Sequence, residues 1–173
     1  VARVVGLPYP GGVAIDREAK KGKPVYKLPI PHTEGEFDYS FSGLKTAVIN
    51  LVTKERNSNR EISVQDLACS FQTTAINYLL DKALPAVEKY NIKQVVLAGG
   101  VSANSYLREE VQRRLKNSDV EVVIPPIWCT TDNAAMIAKV GSYLYNRGVF
   151  ADLSLSANPA WKIEDYLEFG EKK

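Results

Sequence analysis

Histidine and cysteine are scarce in this 173-residue sequence, which has one histidine, His32, and two cysteines, Cys69 and Cys129. A His-rich or four-cysteine metal site is therefore excluded within the chain. Two thiols make no disulfide framework. Cys69 falls on the apolar side of an expected helix and reads as a buried thiol. His32 stands in a proline-rich stretch without a partner set for Ser-His-Asp or Cys-His chemistry. The H-E-x-x-H pattern of zinc proteases is absent. So are G-x-G-x-x-G and G-x-x-x-x-G-K-[ST], which removes two common nucleotide-binding classes. No run of eighteen or more apolar residues occurs, so no membrane-spanning helix is expected. The opening "VARVVGLPYPGG" has no secretory-leader pattern, and a cytoplasmic location is expected. An excess of one charge is missing too: 22 basic against 20 acidic residues leave +2. That balance neither favours nor excludes nucleic acid, because a local basic patch hides in a neutral total.

What is present is ordinary for a soluble domain, with 45% hydrophobic and 24% charged residues. The chain opens on Val1 and meets a glycine-rich turn at once, as though read from partway through a longer sequence. "GLPYPGG" (6–12) is turn-forming, and "VAIDREAKKG" (13–22) reads as a short helix closed by Gly22. "KPVYKLPIPH" (23–32) carries three prolines and is expected to be extended. A helix follows with Ser42 as N-cap and Leu44, Val48 and Leu51 on one face. The strongest periodicity spans 64–90, opened by Ser63 and Asp66 in capping-box spacing, with Pro85 as a kink or interruption. Then come a short buried strand, "KQVVLAG"; an amphipathic helix over 102–116; a second buried strand, "VEVVIPP"; and a small-residue helix over 131–148. Ala134, Ala135, Ala138 and Gly141 suggest that this last helix packs closely on a neighbour. The order is an α/β layer pattern with two parallel strands. It divides the chain into a glycine turn and helical insert (1–62), an α/β core (63–150) and a tail (151–173).

Ligands in such sheets sit outside the carboxyl ends of the strands. Two loops lie there. In "LAGGVSAN" (97–104), Gly99 and Gly100 admit close approach, Ser102 opens a helix, and Asn104 offers both a donor and an acceptor. The same stretch also reads as a tight turn with no ligand. In "CTTDN" (129–133), Asp132 and Asn133 stand at a strand-to-helix junction. Asp132 either holds a metal or is a helix-opening residue favoured by the dipole. In "YPGGVAID" (9–16), Gly12 permits close approach and Asp16 supplies an acceptor suited to ribose hydroxyls, or is a solvated carboxylate. Lys45, in "FSGLKT", sits in the first turn of a helix, where a cation is unfavourable. It either meets a phosphate or snorkels to solvent. Arg108, Arg113, Arg114 and Lys116 make a phosphate-facing patch or a solvated helix face.

With "GLPYPGG", "FSGLKTAV", "LAGGVSANSYLR" and "CTTDNAAMIA" in this order, the sequence resembles the tRNA threonylcarbamoyladenosine transferase family, once labelled O-sialoglycoprotein endopeptidase or glycoprotease. The bacterial form is the nearest in pattern. The resemblance runs along essentially the whole chain but covers only the C-terminal half of a member. It implies the C-terminal lobe of the actin-like, sugar-kinase and heat-shock ATPase superfamily, a ribonuclease-H-like α/β fold with a helical insertion. The activity implied is transfer of a threonylcarbamoyl group from threonylcarbamoyl-adenylate to the exocyclic amine of the adenosine beside the anticodon. By the family's pattern, Gly12, Asp16 and Asn104 bind the adenylate, and Asp132 is a ligand to one divalent metal ion, iron or zinc. The implied partners are tRNA, threonylcarbamoyl-adenylate or ATP/AMP, a non-catalytic paralogue and a small ATPase. The family's paired metal-binding histidines have no match here. The expectation is thus a chain that grips nucleotide without holding the metal tightly or completing the transfer, and that self-associates through its cleft face. A nucleotide-binding scaffold and, following the old label, a metalloprotease are the alternatives.

Overall fold

The computed structural model describes residues 1–160 and residue 162. It divides into a unit of Val1–Thr130 and a second unit beginning at Thr131. In the first unit the elements run α1 (Gly11–Ala19), α2 (Ser42–Asn57), α3 (Val64–Lys89), β1 (Gln94–Val96), α4 (Ser105–Leu115) and β2 (Glu121–Val123). The second holds α5 (Ala134–Asn146).

Everything in the first unit is built on α3. Ser63 caps it, its hydroxyl accepting the Asp66 amide at 3.2 Å, and Pro85 is carried inside it without interruption. Three faces of α3 carry three packed clusters. Ile76 and Leu80 meet Leu107, Val111 and Leu115 of α4, with Val95 and Val122 of the strands behind them. Ala68 meets Ile15 and Ala19 of α1, with Cys69 half-buried beside them rather than enclosed. Leu67 meets Val48 and Val52 of α2. Leu44, Leu67 and Val48 have no exposed surface, so shortening any of them to alanine costs about 2–5 kcal/mol for the larger side chains.

The extended stretch after α1 is strapped to α3 by polar groups because its prolines deny it a ladder. The Lys23 amide donates to Asp66 Oδ1 at 2.7 Å and the Tyr26 amide to Ser70 Oγ at 3.0 Å. Lys82 Nζ reaches back to Thr33 Oγ1 at 2.6 Å and to the Gly35 carbonyl at 3.2 Å. Gly22 does not close α1, which ends at Ala19. Its role is close approach: a Cβ there would stand 2.2 Å from the Gln65 carbonyl oxygen. Nor does Ser42 cap α2. Phe41 holds that position without a side-chain bond, and Ser42 lies inside the helix.

The C-termini of α2, α3 and α5 share one device. Asn59, Asn91 and Gly148 take positive φ, at 52°, 50° and 68°. In each case the next amide reaches back six residues' span, Arg60 to Glu55, Ile92 to Val87 and Val149 to Leu144. These are Schellman motifs, in which asparagine or glycine tolerates the left-handed position.

β1 and β2 pair in parallel, Gln94 with Glu121 through Val96 with Val123. The expected full burial of these strands is not seen. Val95 and Val122 face the α3–α4 core, while Val96 and Val123 are 56% and 36% exposed, because the two-stranded sheet has one covered face in its own unit. In α5 none of the described residues is buried, and Gly141 has open space around it. The close packing expected of this small-residue helix is thus absent within its unit. No helix among the described residues is long and apolar enough to cross a membrane.

Candidate functional site

The stretch after β1 is built for a sharp reversal. Gly99 has φ +80°, which an L side chain rarely adopts. Ser102 is 2% exposed and its hydroxyl donates to the Gly99 carbonyl at 2.6 Å, closing a single 3₁₀ turn over Gly100–Ala103. The α-helix therefore begins later than expected, at Ser105, and Asn104 is its N-cap. Asn104 Oδ1 accepts the Leu107 amide at 2.9 Å, and Asn104 Nδ2 donates to Gln72 Oε1 of α3 at 2.7 Å. One amide hydrogen and one lone pair of Asn104 remain for a ligand.

Asp16, on α1, comes to the same place. Its Oδ1 accepts the Ser105 amide at 3.2 Å and the Ser105 hydroxyl at 2.8 Å. Lys20 stands 3.5 Å from the other oxygen. Two carboxylate and carboxamide groups 88 positions apart in the chain thus meet at the first turn of α4. Arg108 fixes this turn from behind, donating to the carbonyls of Ser102 at 2.6 Å and Pro125 at 2.9 Å. It ties together the two loops that leave the strand ends.

In front of the turn lies a cleft of about 700 Å³, inside the usual range of about 300–1,000 Å³ for small-molecule sites. Gly11, Gly12 and Ile15 of α1 form one wall, and Val101 and Asn104 another. Phe41 and the α3 residues Phe71, Gln72, Ala75, Ile76 and Leu79 also line it, as do Val1, Ala2 and Arg3. The paired glycines of α1 are not equivalent. A Cβ at Gly11 would stand 2.8 Å from the Ala2 Cβ, whereas one at Gly12 meets nothing within 4 Å. Gly11 is required by packing, and Gly12 keeps the cleft open.

The structure thus brings Gly12 and Asn104 to one cavity and places Asp16 at its rim support, bonded to the residue after Asn104. Gln72 is the cleft residue that sequence reasoning missed. Its signal was a polar side chain on the buried side of α3, between Ala68 and Ala75, where it is 7% exposed. The arginines of α4 form no phosphate-facing patch. Arg113 and Arg114 hold Glu110, and Arg114 also reaches Asn77. The Arg113 hydrogen bond is the largest influence on Glu110, with Arg114 adding to it, and together they lower its pKa to about 2. Lys45 is exposed and borders a second cavity with Val1, Phe41, Ser42 and Phe71.

Asp132 belongs to the second unit and is exposed. Its neighbour Asn133 is the N-cap of α5, accepting the Met136 amide at 3.2 Å. Among the described residues no three His, Cys, Asp or Glu side chains cluster as metal ligands would. The donor set here therefore does not fit a metal by itself, and Asp132 stands as a single candidate ligand.

The sequence model of the tRNA N6-adenosine threonylcarbamoyltransferase (TsaD) family matches residues 1–139. The chain belongs to this family. Relatives named tRNA N6-adenosine threonylcarbamoyltransferase include one from Geobacillus kaustophilus, 49% identical over 162 residues, covering 92% of this chain and 47% of the relative. One from Dictyoglomus turgidum is 46% identical over 159 residues, covering 92% and 48%. One from Bacillus anthracis is 49% identical over 166 residues, covering 95% and 48%. This TsaD-family chain spans about half the length of the curated relatives it matches. The relatives are named as transferases, and the mixed helix-and-sheet fold accords with the family's actin-like class.

Proposed function

We propose that this chain is the adenylate-gripping C-terminal lobe of a tRNA threonylcarbamoyladenosine transferase. The observation that carries the reading is the convergence of Gly12 and Asn104 on one nucleotide-sized cleft, from motifs more than ninety residues apart. In this reading the open backbone at Gly12 admits the nucleoside. Asn104 reads it with the hydrogen and lone pair that its capping bonds leave unused. Asp16 holds the Ser105 turn in register and offers its second oxygen to a ribose hydroxyl.

The chemistry served is acyl transfer from a mixed anhydride to the exocyclic amine of an adenosine in tRNA, with AMP leaving. A weak nucleophile needs its acceptor carbonyl held at a fixed place, and gripping the leaving nucleotide does that. A divalent metal, iron or zinc, is the family's expected aid. Asp132 would be one ligand for it, and no group of three candidate ligands stands among the described residues. Partners on this reading are tRNA, a non-catalytic paralogue and a small ATPase, in the cytoplasm.

Calorimetric titration of adenosine into the full 173-residue chain, beside a Gly12→Val variant, tests the proposal. Saturable binding by the parent and none by the variant is expected, with both melting within about 2 °C because the added side chain meets open space. Equal binding by the two proteins would remove the cleft as the nucleoside site.

A further inference from the structure

Asn104 and Asn133 both cap helices through Oδ1, and they differ in what holds the other end of the carboxamide. Asn133 Nδ2 donates to the Thr131 carbonyl at 3.1 Å, an exposed bond two positions away in its own loop. Asn104 Nδ2 donates to Gln72 Oε1 at 2.7 Å, a part-buried bond that spans 32 positions. One cap is completed locally, and the other by a side chain of α3. Gln72 is buried, one helical turn from Ala68, which packs on α1, and one from Ile76, which packs on α4. Burying a carboxamide in such a place costs free energy that an apolar residue would not. The next residue along is held in the same manner, Ser105 by Asp16 of α1.

The sense of these bonds is fixed at one end. The Leu107 N–H can only donate, so the Asn104 atom that meets it is the oxygen. The nitrogen is thereby turned toward α3, and the Gln72 atom opposite it is an oxygen in turn. The two ends of a carboxamide have nearly the same shape and opposite hydrogen-bonding sense. The capping bond alone leaves the plane free to turn about it, because the last torsion of asparagine is soft. The bond to Gln72 stops that turn. From this arrangement we infer that Gln72 is a positioning residue: it locks the carboxamide of Asn104 and so sets the order of donor and acceptor that Asn104 shows to a purine. The inference rests on the nucleotide reading above, in which Asn104 reads the nucleoside, and adds which atoms are read. The locked acceptor takes a hydrogen of the 6-amino group and the locked donor meets a ring nitrogen beside it, as asparagine pairs with adenine. A 6-oxo purine offers an oxygen in place of the amino group, and the locked carboxamide opposes it with an oxygen of its own.

The experiment titrates adenosine and inosine by calorimetry into the full chain and into its Gln72→Met and Gln72→Glu variants. Gln72→Met removes the acceptor, whereas Gln72→Glu keeps an acceptor oxygen in either protonation state. The parent is expected to favour adenosine about tenfold, the discrimination that one such pair of contacts supplies. Gln72→Met is expected to cut that preference to about twofold or less, and Gln72→Glu to keep most of it. A Gln72 that serves the fold alone would lower both affinities by one factor and leave their ratio unmoved, and that result would overturn the inference. Equal loss of the preference in both variants would overturn the acceptor's role. Equal parent affinities for the two nucleosides would overturn the inference and leave the nucleotide reading intact, whereas binding of neither would overturn both. Hydrogen exchange of the Asn104 side-chain amide, followed by NMR in the isotope-labelled parent, needs no variant to fold. Slower exchange than at the Asn133 side-chain amide is expected, and equal exchange at the two would overturn the lock.

Discussion

Asp16→Ala separates the structural role that this carboxylate holds from the ribose contact proposed for it. Asp16 Oδ1 accepts the Ser105 amide at 3.2 Å and the Ser105 hydroxyl at 2.8 Å, and the carboxylate side chain is 17% exposed. Ser105 opens α4, so its N–H has no acceptor within the helix. Removing the carboxylate leaves that donor half-buried without its partner. Hydrogen bonds to a charged acceptor contribute about 1.5–3 kcal/mol, and partial exposure of this pair sets the total near the lower end, about 2 kcal/mol. The Lys20 contact is mostly exposed and adds little. With a urea slope of about 2 kcal/mol per molar, the midpoint falls by about 1 M. Asp16→Asn keeps a carbonyl oxygen for both donors and recovers about half of the loss. The assay is urea unfolding followed by the helical circular dichroism signal, with adenosine titrations on the same samples. A midpoint drop of less than about 0.3 M for Asp16→Ala would refute the lock, leaving Asp16 as a ligand alone. Lower stability in Asp16→Ala with full recovery of adenosine binding at low temperature would instead deny it any contact with the nucleoside.

Gly22→Ala places a methyl 2.2 Å from the Gln65 carbonyl and is expected to cost about 2–3 kcal/mol by forcing α3 from its cap, read as a lowered thermal midpoint. Gly12→Ala, on open space inside a helix, is expected to leave stability unchanged or raise it by about 0.5–1 kcal/mol, and calorimetry separates the two glycines. Glu110, whose pKa is lowered to about 2 first by the Arg113 hydrogen bond and then by Arg114, gives a pH signature. A carboxyl held below its ordinary value stabilises the fold fully above about pH 4.5 and loses that contribution as pH falls toward 2. Solvent around the exposed Arg113 limits it to about 1 kcal/mol. Glu110→Gln is expected to flatten the stability profile between pH 4.5 and 2, as read by urea midpoints across that range, and an unchanged slope would contradict the assignment.

How much of this was legible in the sequence depends on whether the cause was local. The Ser63–Asp66 cap and the amphipathic face of α3 follow from residue types within a few positions of one another, the parallel pairing of β1 with β2 follows from the strand–helix–strand order, and each is present. The errors sit where a distant partner decides. Gly22 looked like a helix stop because glycine ends helices, yet it is small because the backbone of Gln65 lies against it, 43 positions on. The strands looked buried because they are apolar, but burial of Val96 and Val123 needs a second layer that their own unit does not supply. Gln72 stayed invisible because one polar residue in an apolar helix face has no local meaning until Asn104 is placed opposite it.

The same distinction bears on the site. "LAGGVSAN" read alone is either a turn or a ligand notch, and the structure shows how the turn is built. Gly99, Ser102 and the Oδ1 of Asn104 are consumed in building the turn. Asn104 lines the cleft that Gly12 keeps open, and one hydrogen and one lone pair of its carboxamide are not used by these bonds. A substitution at Asn104 removes a cap along with the ligand contact proposed for it, so loss of binding in Asn104→Ala does not by itself prove a contact. Gly12 escapes that ambiguity, since its Cβ would touch nothing in the protein. If nucleoside binding survives a bulky side chain there, the convergence of the two motifs is architecture alone. If binding is lost while the fold is kept, the cleft is the site.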